Sequence, residues 1–182
     1  MKSKVIAISA ISAGFVALSL VAGAYISVAD LVALAVSSVF VILPLYYGSY
    51  KGAFLSFLAG GAIALLCALP TITVTIVFPA YAAFFGLYPI VRLWLKEKNV
   101  NKAAVIVIGL VWCVAAVYGI YFYYTLVMGF SFAENLPAWI AWINNYILYF
   151  LAGFGVLFYV IYDRYVIVMK SFSDRILCKV IK

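Results

Sequence analysis

The basic residues of this chain are confined to alternate gaps between long apolar runs, and few folds tolerate that arrangement. Six runs, roughly 5–26, 31–47, 53–69, 72–95, 103–128 and 146–169, are separated by breakers or charges. A hydrocarbon core about 30 Å thick takes about 20 helical residues, so each run is long enough, or nearly so, to cross it. Lipid offers no water to an exposed backbone, so unbroken apolar runs of this length predict helices rather than barrel strands. Lys2 and Lys4 precede the first run, and Lys51 lies between the second and third. Arg92, Lys96, Lys98 and Lys102 lie between the fourth and fifth, and Arg164, Lys170, Arg175, Lys179 and Lys182 close the chain. With six spans and the N-terminus inside, all 12 Lys and Arg fall on the cytoplasmic side, while the outer connections carry only Asp30 and Glu134. That is the positive-inside pattern, and an odd number of spans would break it. The expected fold is all-α: a polytopic membrane protein with six transmembrane helices and cytoplasmic N- and C-termini. Residues 1–182 form one transmembrane domain in this reading, with 165–182 as a cytoplasmic amphipathic tail.

Composition narrows the function classes. The chain is 70% hydrophobic and only 9% charged, which excludes a solvated globule, and its wealth of aromatic and β-branched residues excludes disorder. Six spans use about 120 residues, leaving no room for a catalytic domain outside the bilayer. Cys67, Cys113 and Cys178 are isolated and histidine is absent, so neither a disulfide framework nor a zinc site is expected. No phosphate-binding glycine motif is present, and no base and nucleophile pair sits at membrane depth. The expectation is a non-enzymatic chain with no metal and no cofactor. The net charge of +7 is read as orienting the chain and meeting anionic lipid, not as binding nucleic acid.

The N-terminus admits two readings. Lys2 and Lys4, an apolar run and Ala22-Gly23-Ala24 fit a signal peptide with an A-x-A cleavage site. The run is longer than a typical signal core and small residues fill it throughout, which favours its retention as span one. The interruption at 48–52 is read as a tight turn, with two glycines flanking Lys51.

Small residues recur every fourth position in span three, at Gly52, Ser56, Gly60, Ala64 and Ala68, placing all five on one helix face. Span one clusters Ala10, Ala13, Gly14 and Ala17. Such faces serve either internal packing or the docking of another subunit; span three is expected to pack inside and span one to meet a partner. Span four contains Pro79 and Pro89, and proline kinks a helix; Pro89, beside Tyr88 and Arg92, is read as a boundary feature near the cytoplasmic end and Pro79 as the better placed to shape a site.

Span five ends outward in Tyr118, Tyr121, Phe122, Tyr123 and Tyr124, and the longest outer connection follows with Trp139, Trp142, Asn144 and Asn145. These residues are either an aromatic belt at the outer interface or a ligand pocket in which aromatic faces pack and asparagines hydrogen-bond. Asp163 and Arg164 interrupt span six about 26 Å from its outer start, near the inner boundary. Mid-membrane carboxylates of the kind proton-coupled pumps use are not found. Met169, Phe172, Ile176 and Val180 follow at helical spacing, as in a basic amphipathic helix on the inner leaflet.

Six spans in 182 residues, both ends inside, and the small-residue first helix resemble the substrate-binding S component of energy-coupling factor (ECF) vitamin transporters. Ala13-Gly14-Phe15-Val16-Ala17 matches the alanine-x-x-x-alanine motif that packs on the coupling subunit in that family. Residues 83–89, AFFGLYP, are similar to small bacterial membrane proteins grouped near it. The resemblance implies a micronutrient-capture subunit of a bacterial cell membrane that relies on a transmembrane coupling subunit and ATPase subunits from other chains. In that reading Ala13 and Ala17 face the coupling subunit, while Tyr118, Tyr121, Trp139, Trp142 and Asn144 line the outer site for a small molecule. The alternative is a non-transporting scaffold or assembly subunit of cell-envelope machinery.

Overall fold

A computed structural model describes residues 2–26, 28–68, 77–126, 129 and 146–180. Among these the chain is helical and contains no strand. Six helices are long and apolar enough to cross a membrane. They are α1 (Lys2–Tyr25), α2 (Asp30–Ile42, continued by a 3-10 turn Leu43–Tyr47), α3 (Tyr50–Ala68), α4 (Val77–Glu97), α5 (Lys102–Leu126) and α6 (Ile147–Val180).

Local chemistry sets the boundaries. Asp30 opens α2 by accepting the Leu31 N–H at 2.7 Å, where a carboxylate suits the helix dipole. Pro44 has no N–H to continue the α ladder, so α2 tightens into a 3-10 turn that ends on Gly48 at φ 66°. The turn is shorter than the 48–52 reading, because Ser49 already caps α3, accepting the Gly52 N–H at 3.1 Å. Lys51 and Gly52 are therefore helical. At the end of α4, Asn99 takes φ 52° while Val100 N–H reaches the Leu95 carbonyl at 3.3 Å and Asn99 N–H that of Lys96 at 3.2 Å. This is a Schellman stop. Asn101 then caps α5 by accepting the Ala103 N–H at 3.1 Å.

Within α4 the backbone widens to a π-helix over Tyr81–Gly86. Pro89 supplies the reason: it offers no N–H to the Phe85 carbonyl four residues back, and its ring crowds that oxygen. Pro79 stands just before the widened turn, and residues 72–76, expected in the same span, lie outside the described residues.

Two compact units are present, Met1–Val100 with Tyr165–Lys182, and Asn101–Arg164. In the first, α1 and α3 run parallel: Ser9 meets Ser56, Val16 meets Gly60, and Ala24 meets Ala68. α2 runs back along α1, with Ala33 against Gly23 and the Phe15 and Phe40 rings stacked at 4.7 Å. α4 runs antiparallel to α3, with Tyr81 against Gly61 and the Phe57 ring against Gly86. The Tyr81 side chain is fully buried and its hydroxyl donates to the Phe57 carbonyl at 2.9 Å. The last turns of α6 join this unit through the Tyr165 hydroxyl, which donates to the Ala35 carbonyl at 2.7 Å.

In the second unit α5 and the first turns of α6 are antiparallel. Gly109 lies under the Tyr159 ring, Gly155 lies against the Val114 backbone, and the Tyr118 hydroxyl donates to the Leu148 carbonyl at 2.7 Å. α6 is continuous for 34 residues, about 51 Å, and residues 165–180 belong to the same helix as the apolar run before them.

Candidate functional site

Three places in the fold draw on the residues that the sequence singles out. The first is the seam between α1 and α3. Gly52, Ser56, Gly60, Ala64 and Ala68 are all buried, and their small size lets the α1 backbone approach. A Cβ on Gly60 would lie 2.6 Å from Val16 Cγ1 and 2.9 Å from the Ala13 carbonyl. Ala13 and Ala17 face into the chain too, at 8% and 6% exposure. The motif read as a partner contact is thus occupied by the chain's own packing. α1 is small on two adjacent faces, and among the described residues one of them is uncovered: Ala7, Ala10 and Gly14, at i, i+3 and i+7, are exposed, and no described residue stands within 4 Å of the position a Gly14 Cβ would take.

The second place is the aromatic end of α5. Tyr118 and Tyr121 lie one turn apart and are half-buried. The Tyr118 hydroxyl is committed to Leu148, and the Thr125 hydroxyl donates to the Tyr121 carbonyl at 2.9 Å. Tyr121 packs edge-on to Phe122, and Tyr123 to Tyr124, each pair at 5.6 Å between centroids. Trp139, Trp142 and Asn144, expected to complete a pocket here, lie outside the described residues, as does Asn145.

The third place was not singled out as a site. A groove of about 790 Å³ opens between the end of α4 and the last turns of α6, lined by Leu93, Lys96, Ile167, Lys170, Ser171, Asp174, Arg175 and Cys178. The α6 residues recur at spacings of three and four, so one helix face supplies them. Lys170 pairs with Asp174. Lys96 and Arg175 are exposed, and three cations against one carboxylate leave the groove cationic. The sequence reads these cations as orienting the chain and as the basic side of an amphipathic helix that meets anionic lipid; that Leu93 and Lys96 of α4 face the stripe Ile167, Lys170, Ser171, Asp174 and Cys178 is a tertiary relationship.

Among the described residues no cluster of His, Cys, Asp and Glu is placed to hold a metal ion. Comparison of the chain with known protein families, with curated proteins and with solved structures finds no match.

Proposed function

We propose that this protein is the membrane-embedded substrate-capture subunit of a micronutrient uptake transporter, energised by ATPase subunits on other chains. It sits in the cell membrane with both termini cytoplasmic. The observation that carries the reading is the polarity of α5. It begins at Lys102 and ends in Tyr118, Tyr121, Phe122, Tyr123 and Tyr124, which presents aromatic faces at the end away from the basic residues. Six potential spans and a shortage of charge inside them support a chain that binds and passes on, with the driving chemistry elsewhere. In this reading the coupling subunit packs on the exposed strip Ala7, Ala10 and Gly14, beside the buried face that carries Ala13 and Ala17.

The covered state of Ala13 and Ala17 also favours a second reading, a non-transporting scaffold of cell-envelope machinery, because the face that carries this motif is buried within the chain. Affinity capture of the tagged protein from native membranes in mild detergent, read by mass spectrometry, separates the two. Recovery of a transmembrane coupling protein with ATP-binding subunits supports the capture subunit. Recovery of envelope-assembly proteins in their place rejects it in favour of the scaffold.

A further inference from the structure

We propose that the groove between α4 and α6 binds the phosphate headgroup of an anionic phospholipid from the adjoining leaflet. The inference requires that the helices sit in a bilayer, and it holds whether the protein captures a substrate or acts as a scaffold. Its basis is a gradient along the groove that matches a phospholipid from tail to head. Leu93 and Ile167 form the part towards the interior of the two apolar helices; Lys96 and Lys170 follow about one turn nearer the helix ends, and Arg175 about one turn beyond Lys170. From Ile167 to Cys178 the face rises about 16 Å, the depth of a headgroup with the start of its acyl chains. At about 790 Å³ the cleft is in the range of small-molecule sites.

Charge decides which lipid fits. A zwitterionic headgroup would bring a cation towards Lys96 and Arg175, whereas an anionic one brings only negative charge. Asp174 does not offset those two cations, because its carboxylate is engaged by Lys170. Cationic pockets between helices at the basic face of a membrane protein are suited to acidic headgroups. On the same stretch of α6, Val168 and Phe172 are exposed at 60% and 54%, as expected of a helix whose other side still lies among acyl chains.

The test uses the purified full chain in detergent, with lipid retention read by native mass spectrometry for phosphatidylglycerol against phosphatidylcholine. Wild type should retain phosphatidylglycerol preferentially. Lys96→Gln and Arg175→Gln should each reduce that retention about fivefold. Asp174→Asn should raise it by freeing Lys170, a gain that a damaged fold would not produce. Lys98→Gln, an exposed cation outside the groove, should leave it unchanged. Equal loss in Lys98→Gln would mean diffuse surface charge and overturn the site, as would equal retention of the two lipids or no gain in Asp174→Asn. Displacement of the lipid by an equimolar amount of inorganic phosphate would also overturn the proposal, assigning the groove to a soluble anion.

Discussion

The Ser56 hydroxyl crosses the seam between α1 and α3 to the Ser9 carbonyl oxygen at 2.9 Å, sharing its proton with the Gly52 carbonyl of its own helix, also at 2.9 Å. Such a bond between helices in lipid contributes about 0.6 kcal/mol, since the separated helix finds other partners. Close packing dominates the seam, and the two effects can be told apart. Ser56→Ala should lower the thermal midpoint in detergent only slightly. Gly60→Leu should cost about 3 kcal/mol, at the upper end of overpacking, because the Ala13 backbone cannot move aside. Gly14→Ala, which meets open space, should be neutral in the same melting assay.

Tryptophan placed on the two small faces of α1 should behave differently. Ala13→Trp and Ala17→Trp force a large ring into the covered seam and should reduce the yield of folded, monodisperse protein in size-exclusion chromatography. Ala10→Trp and Gly14→Trp stand on the exposed face and should preserve yield and melting temperature; if the proposed coupling subunit packs there, they should abolish its recovery. Loss of folded protein in both pairs would mean that the open strip is needed within the chain, and intact capture by the second pair would move the partner contact off α1.

How much of this was legible beforehand depends on which physical rule each feature obeys. The six long apolar helices were, because a run of apolar residues of that length answers directly to the thickness of a hydrocarbon core. The caps at Ser49 and Asn101 also carry a local signal in the residue itself. What could not be read was the partner of each small face. Ala10, Ala13, Gly14 and Ala17 spread over about 100° of the α1 circumference, and periodicity alone does not say that Ala13 and Ala17 are covered while Ala10 and Gly14 are exposed. The π-helix escaped for a similar reason: Pro79 and Pro89 both forecast a disturbance, but its form depends on how the chain between them relieves the crowding. Tyr118 was chosen for its ring, and its hydroxyl turned out to be spent on a neighbouring helix.

In the unit formed by α5 and the start of α6, glycine again determines how closely the helices approach. A Cβ on Gly155 would lie 3.1 Å from Val114 Cα, which is backbone and cannot rotate away. Gly155→Leu should therefore push α5 from α6 and lower the melting temperature by several degrees, whereas Gly153→Leu, with no described residue within 4 Å, should not. Tyr118→Phe should cost about 1 kcal/mol through the lost bond to Leu148. If Tyr118 contributes to ligand capture only through its ring, uptake should survive that substitution while Tyr118→Ala abolishes it.

The three native cysteines report the orientation without added labels. Cys67 is exposed near the end of α3, Cys178 is exposed near the end of α6, and Cys113 is buried midway along α5. α3 starts next to Lys51 and α6 ends among Lys170, Arg175 and Lys179, so the two exposed thiols stand at opposite ends of the helices from one another. With the basic ends inside, a membrane-impermeant maleimide added to intact cells should label Cys67 and spare Cys178. Permeabilising the cells should expose Cys178, and Cys113 should react only after denaturation. Single-cysteine variants keep the three signals separate. Labelling of Cys178 from outside with Cys67 protected would invert the topology, placing the aromatic end of α5 in the cytoplasm and removing the basis for capture from outside. Labelling of both from the same side would contradict the count of membrane crossings between them.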